Sequence, residues 1–173
     1  MPDAITLRPF REDDLRLMPL LFNNQANTEP FAWYGWSDPH RYRRLWDEGK
    51  LIDEHSGRLV VDGGGEPVGV VSWFRQRIRE SLYWNIGISL LPEARGHGYG
   101  TQAQRQLAEY LFRHTTAYRV EAETETTNIA EQRALEKAGF TREGVLRGVG
   151  YRGGHHRDMV MYSVLRSEVV IPA

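Results

Sequence analysis

The residues best placed to do chemistry lie in one stretch, Ser89-Leu-Leu-Pro-Glu-Ala-Arg-Gly-His-Gly-Tyr-Gly-Thr-Gln-Ala103. Gly96, Gly98 and Gly100 alternate with other residues directly after Arg95, between an apolar run and an amphipathic one. Glycine frees φ and lets backbone approach a ligand closely. At a helix start, such a loop offers unpaired N–H groups and the positive end of the helix dipole, which suit a phosphate or pyrophosphate. A tight turn without a ligand is the plain alternative. The P-loop pattern fails, because no Lys-Ser/Thr follows the last glycine. A dinucleotide fingerprint stays open: Gly98-Tyr-Gly100-Thr-Gln-Ala103 fits G-x-G-x-x-A, and Glu121 and Glu123 follow at about the expected distance. Against it, about half the chain precedes the loop, and no long run of βα units follows.

A second group is the acidic alternation Glu121, Glu123, Glu125 against Val120, Ala122, Thr124. On a strand it puts three carboxylates on one face. They serve either as proton acceptors beside a cleft or as a solvated stripe. Trp33, Tyr34 and Trp36 lie in an Asn- and Gly-rich stretch and form either an aromatic wall for a substrate or part of the core. His155 and His156 tempt a metal assignment, but adjacent strand residues face opposite ways. A hairpin turn is expected there and no metal. Arg41, Arg43 and Arg44 read as a solvated helix face.

These groups need a scaffold. "AITLRPF" reads as a strand, and "REDDLRLMPLLF" as a helix that Pro19 kinks or splits. Residues 23–38 read as loop. "SDPHRYRRLWDE" is a helix capped by Ser37 or Asp38. "GRLVVDGGGEPVGVVSWF" is a hairpin and "ESLYWNIGISLL" a further strand. "GTQAQRQLAEYLFRH" has Ala103, Leu107, Tyr110 and Leu111 on one helical face. "NIAEQRALEKAGF" is a helix from Asn128 to the left-handed stop Gly139. The rest reads as two strands around a Gly-rich turn. The order β-αα-βββ-α-β-α-ββ predicts an α+β chain with one sheet.

The chain has 173 residues, 40% hydrophobic and 26% charged, with a net charge of −1 and no cysteine. That length suits one domain, residues 1–173. The charge balance gives no field to recruit nucleic acid or a membrane surface. Without cysteine there is no disulfide, thiolate nucleophile or Cys-zinc site. No apolar run is long enough to span a bilayer and the N-terminus lacks a signal layout, so the expected location is cytoplasmic.

Arg95-Gly-His-Gly-Tyr-Gly100 resembles the R/Q-x-x-G-x-G/A pyrophosphate loop of the GCN5-related N-acetyltransferases. "NIGISLLPEARGHGYGTQA", "RVEAETETTN" and "NIAEQRALEKAGFTREGVLR" resemble the acetyl-CoA half of the branch containing ribosomal-protein N-terminal acetyltransferases. The tail "YRGGHHRDMVMYSVLR" resembles that branch's last hairpin. The match covers about residues 58–166 in detail and is weakest over 23–57.

The resemblance implies a mixed, mostly antiparallel sheet whose strands 82–91 and 119–125 splay to admit acetyl-CoA. It implies a cofactor half of about 58–140, with acceptor-side elements at about 10–57 and 141–166. The backbone at Ser89, Leu90 and Leu91 would bind the pantetheine arm. The N–H groups of Arg95, Gly96, His97, Gly98, Tyr99, Gly100 and Thr101 would hold the pyrophosphate. Asn128 would contact the pantetheine, and Arg133 the cofactor phosphates. Trp33, Tyr34 and Trp36 would line the acceptor site. The implied reaction is direct acetyl transfer from acetyl-CoA to a primary amine of a protein N-terminus or small molecule, by a monomer or homodimer. A non-catalytic acyl-CoA-binding module is the alternative, and a dinucleotide-dependent oxidoreductase a further one.

Direct attack on a thioester needs a proton acceptor for the amine, donors at the carbonyl oxygen and an acid for the thiolate. With no G-x-S-x-G elbow and no cysteine, no acyl-enzyme is expected. Glu121 and Glu123 are the candidate bases. Related branches carry an acid where Asn85 stands, a tyrosine where Leu135 stands or a serine where Glu131 stands. Tyr110, Tyr151 and Tyr162 remain as candidate acids. Glu131 is expected to be structural, accepting from the Asn128 backbone N–H, with its pKa lowered by the helix start.

Overall fold

In the computed structural model, which describes residues 4–78 and 81–170, the alternating segments pair into one sheet. Its strands are β1 (Ile5–Arg8), β2 (Ser56–Gly63), β3 (Glu66–Ile78), β4 (Ser81–Leu90), β5 (Arg119–Glu125), β6 (Thr141–Arg152) and β7 (His155–Leu165). Their spatial order is β1-β2-β3-β4-β5-β7-β6. Only β4 and β5 are parallel neighbours; the other pairs are antiparallel. The single α+β sheet expected from the element order, and its mixed, mostly antiparallel character implied by the family resemblance, are therefore present. Glu80, expected in the strand that became β4, lies outside the described residues.

Both faces of the sheet are covered, which explains why β2 reads as a continuous apolar run, Leu59-Val60-Val61. Leu59 and Val61 face one core together with Leu107 and Leu111 of α4 (Tyr99–His114) and Leu135 of α5 (Ile129–Ala138). Val60 and Val70 face a second core with Leu17, Met18 and Leu21 of α1 (Leu17–Phe22). The helix α3 (Arg41–Asp47) adds Tyr42, Leu45 and Trp46 to that side. Trp73 and Trp84 are core residues. Arg166, just after β7, donates to the carbonyls of Phe112 at 2.6 Å, Thr115 at 2.5 Å and Ala117 at 2.8 Å. It thereby satisfies acceptors that the end of α4 leaves open.

The N-terminal third departs from expectation. A 3₁₀ turn (Glu12–Arg16) precedes α1, and Pro19 falls in the first turn of α1, where a missing N–H breaks no helical bond. A further one-turn helix, α2 (Gln25–Thr28), interrupts the stretch read as loop, capped by Asn24, whose side chain accepts from the Asn27 N–H at 3.2 Å. The helix α3 starts later than expected, at Arg41, and Asp38 stays outside it, accepting the His40 N–H at 2.9 Å. Arg41, Arg43 and Arg44 are exposed, as expected.

The feature that positions the site is a short ladder. β4 and β5 pair only at Trp84↔Val120 and Asn85↔Glu121. Beyond these pairs the two strands part, so the ends of β4 and β5 carry backbone groups with no partner across the gap.

Candidate functional site

Two cavities meet where β4 and β5 part. The first, about 530 Å³, is lined by the end of β4, the glycine loop, α2 and the start of α5. The second, about 390 Å³, lies over the sheet between α1, α3 and β5. Ser89, Ile88, Phe31, Asn128 and Glu131 line both.

In the first cavity Gly96 and Gly98 have φ of 80° and 79°, the left-handed region that β-carbons disfavour. Gly98 caps α4, and the N–H groups of Gly98, Tyr99, Gly100 and Thr101 have no acceptor among the described residues. Arg95 acts differently from its expected part: its own N–H is taken by the Pro92 carbonyl at 3.2 Å. Its guanidinium donates to the Leu90 carbonyl at 3.2 Å and to the Asn27 carbonyl, clamping the loop between β4 and α2. Gly96, Gly98, Gly100, Thr101, Ser89, Leu90, Arg95, Asn128 and Arg133 all line this cavity. His97, Tyr99 and Leu91 do not; the His97 and Tyr99 rings contact each other, 5.8 Å between centroids, and Leu91 packs on the α1 side. Lys137, which sequence reasoning missed, lines the cavity one helical turn after Arg133. Open N–H donors at a helix start with two cations opposite suit a phosphate-bearing ligand.

The acidic alternation divides into three environments. Glu121 is buried and ion-paired with Arg119 at 2.9 Å, away from the cavity lining. Glu125 is buried and gripped by Arg152 through two bonds of 2.5 and 2.9 Å. Glu123 lines the second cavity with no ion pair among the described residues, and burial, then the charge of Glu121, pushes its pKa up. The stripe is thus not uniform: Glu121 and Glu125 are buried, while Glu123 keeps an exposed side.

Glu131 departs from expectation in its contact and in its pKa. The Asn128 side chain does cap α5, accepting the Glu131 N–H at 3.3 Å. The reciprocal contact is absent, because the Asn128 N–H donates to the Glu125 carbonyl at 2.9 Å. The Glu131 carboxyl instead faces the junction of the cavities, and burial pushes its pKa up to about 7. A hydrogen bond from buried Gln104 partly offsets that rise. Gln104 is itself held by the Gly100 carbonyl at 3.2 Å. Desolvation outweighs the helix dipole.

Of the expected aromatic wall, only Tyr34 lines a described cavity. Trp36 is 79% exposed and meets Trp33 edge-on. The aromatic surface comes from Phe22, Phe31, Tyr42 and Phe74 instead. Tyr110, Tyr151 and Tyr162 line neither cavity; the buried Tyr162 hydroxyl donates to Glu136 at 3.0 Å. Among the described residues no three His, Asp or Glu side chains gather to hold a metal ion, and no helix is long and apolar enough to cross a membrane.

The acetyltransferase (GNAT) domain family matches residues 4–141. A probable N-acetyltransferase, YjcK of Bacillus subtilis (strain 168), is 40% identical over 83% of this chain and 84% of its own length. A putative ribosomal N-acetyltransferase, YdaF of the same organism, is 35% identical over 96% of this chain and 93% of its own. A spermidine N-acetyltransferase of Vibrio cholerae, solved with CoA and spermine, superposes with a TM-score of 0.81 at 22% identity, covering 95% of this chain and 96% of that one. With most of its length matched to the family and to such relatives, this chain belongs to the GNAT acetyltransferases and is an acetyltransferase.

Proposed function

We propose that this acetyltransferase, one domain over residues 1–173, moves acetyl from acetyl-CoA directly to a primary amine. The observation that carries the reading is the meeting of the two cavities at the β4–β5 parting, with Glu131 and Asn128 between a phosphate-suited loop and a carboxylate-bearing pocket. The CoA in the Vibrio cholerae relative and the ribosomal acceptor in the name of YdaF are consistent with it.

Acetyl-CoA fits the first cavity. The N–H groups of Gly98 to Thr101 would hold its pyrophosphate, and Arg133 and Lys137 its remaining phosphate charge. The free edge of β4 at Ser89 and Leu90, with Asn128, would align its pantetheine arm. Bound there, it supplies an acetyl group already activated as a thioester. Glu123 accepts a proton from the incoming ammonium at its carboxylate, which lines the second cavity with no ion pair among the described residues. Glu131 holds a proton on its carboxyl up to about pH 7 and can release it to the departing sulfur. Glu121, committed to Arg119, is set aside as a base.

The direct test is release of free CoA from acetyl-CoA over a panel of primary amines, with mass spectrometry of the product. Binding of acetyl-CoA without turnover would favour the non-catalytic module instead, and NADH binding in its place the dinucleotide reading. Glu123→Gln should lower kcat/KM about 100-fold while acetyl-CoA affinity, measured by calorimetry, stays unchanged.

Two of the three expected acceptor aromatics separate in the same assay. Tyr34→Ala should raise the KM for the amine severalfold, whereas Trp36→Ala should leave it within twofold. The reverse order would move the acceptor wall to the exposed tip of the loop.

A further inference from the structure

Arg58 stands out in the second cavity. It is the third residue of β2, a strand buried from Gly57 to Asp62, is only 7% exposed, and makes no ion pair among the described residues. Buried arginines are ordinarily paired with carboxylates, because an isolated buried charge is strongly unfavourable. Arg119 and Arg152, on the other side of the site, obey that rule with Glu121, Glu143 and Glu125. Arg58 instead lies against two rings, its guanidinium carbon 5.7 Å from the Tyr42 centroid and 5.4 Å from that of Phe74. Burial pushes its pKa down from the ordinary arginine value; the Arg41 charge lowers it further, and Tyr42 and the Asp53 carboxylate only partly offset the fall. Ring contacts occupy the faces of a guanidinium; its edge, a planar fork of N–H donors, remains suited to an in-plane anion.

The position of Arg58 in the sheet says what kind of anion. Arg58 pairs with Ser72 on β3, which pairs with Gly87 on β4, and all three line the cavity. Two strand spacings, about 10 Å, therefore separate the Arg58 backbone from the strand edge where β4 and β5 part. An arginine side chain spans much of that distance. Across the same cavity Glu123 offers a carboxylate without an ion-pair partner among the described residues. A ligand seated here meets a cation at one end and a carboxylate at the other.

We propose that Arg58 is an anion-binding subsite of the acceptor cavity, so that the preferred acceptor is a primary amine that also bears a carboxylate. This rests on the acetyl-transfer reading for the identity of the amine site. A polyamine would bring a second positive charge against Arg58 and is disfavoured. A free amino acid, a peptide C-terminus and an acidic residue near a protein N-terminus share the required chemistry.

Binding measured without turnover tests the subsite independently of the reaction. Calorimetry in the presence of CoA would compare the dipeptide Ala-Phe, its C-terminal amide, the peptide amide Ala-Asp-Phe-NH2, phenylalanine and spermidine. The expected result is at least tenfold tighter binding of a carboxylate ligand than of Ala-Phe amide or spermidine, and the best carboxylate ligand names the source. Arg58→Met keeps a similar unbranched stem between Tyr42 and Phe74 and should cut that preference to within twofold. Arg58→Lys should keep an intermediate preference, since it retains charge without the fork. Unchanged CoA affinity shows that the variants are folded. Failure of every carboxylate ligand to bind more tightly than Ala-Phe amide, no binding of any carboxylate ligand at millimolar concentration, or a preference that survives in Arg58→Met would overturn the subsite. A wild-type protein that keeps the Arg58-dependent preference yet releases no CoA from acetyl-CoA with any bound amine would uphold the subsite and overturn the acetyl-transfer reading.

Discussion

Gly100→Val should leave the protein folded and weaken acetyl-CoA binding at least 100-fold. Gly100 lies in the first turn of α4 without a positive φ, and a β-carbon there meets only Leu90 Cδ1, at 3.8 Å. Valine is a better helix former than glycine by a few tenths of a kcal/mol, so stability should hold or rise slightly. The same position lines the first cavity, and its N–H is one of the open donors at the helix start. Two added methyl groups on the cavity side would hold a pyrophosphate away from those donors and forfeit several charge-assisted bonds at once. Gly98 is a poorer probe, because its φ of 79° would strain any side chain. Thermal unfolding and calorimetry together decide the matter. Near-wild-type affinity in folded Gly100→Val would take the loop out of the binding site.

Glu131→Gln should lower kcat by about 100-fold and make the protein more stable above neutral pH. The carboxyl has a folded pKa of about 7 against an ordinary 4.5. A raised folded pKa means that the native state holds the proton more tightly than the unfolded chain. Its contribution is therefore fully present below about pH 4.5 and is lost as pH rises through about 7. Glutamine keeps the volume and can still hydrogen-bond Gln104, but carries no charge to desolvate. The stability difference, variant minus wild type, should be near zero below about pH 4.5, grow between there and about pH 7, and stay positive above it. In turnover, the fall in rate above pH 7 that follows from loss of the Glu131 proton should disappear with the variant's residual activity. Wild-type kcat at pH 6–8 with unchanged acetyl-CoA affinity would return Glu131 to a structural part.

The local elements were legible because their signals are local. Alternation marked the strands, the Asn128 cap and Gly139 stop bounded α5, and three spaced glycines marked the loop. Even the parting of β4 and β5 was expected, through a family resemblance carried by motifs along the chain. Less legible was the stretch before β2, where a side-chain cap from Asn24 was enough to form a one-turn helix. Propensity over so few residues is too weak to announce that.

What the sequence by itself determined was the order of the elements, the sheet and the loop that marks the family. Only the tertiary structure decided which charges act. Three glutamates alternate identically on β5, yet Arg119 takes one and Arg152 another, and Glu123 alone faces the second cavity without an ion pair among the described residues. Arg119 reaches Glu121 from two residues earlier on β5, but Arg152 reaches Glu125 from β6, two strands away, a pairing that strand order decides and spacing along the chain does not. Arg58 reads as one cation at the head of an apolar run until α3 brings Tyr42 over it. Glu131 shows the physical reason most directly. A helix start alone lowers a carboxyl pKa, through a dipole that the sequence announces. Burial raises it by more, and burial is set by α2, α4, β4 and β5 closing around a position that no local pattern could mark as enclosed.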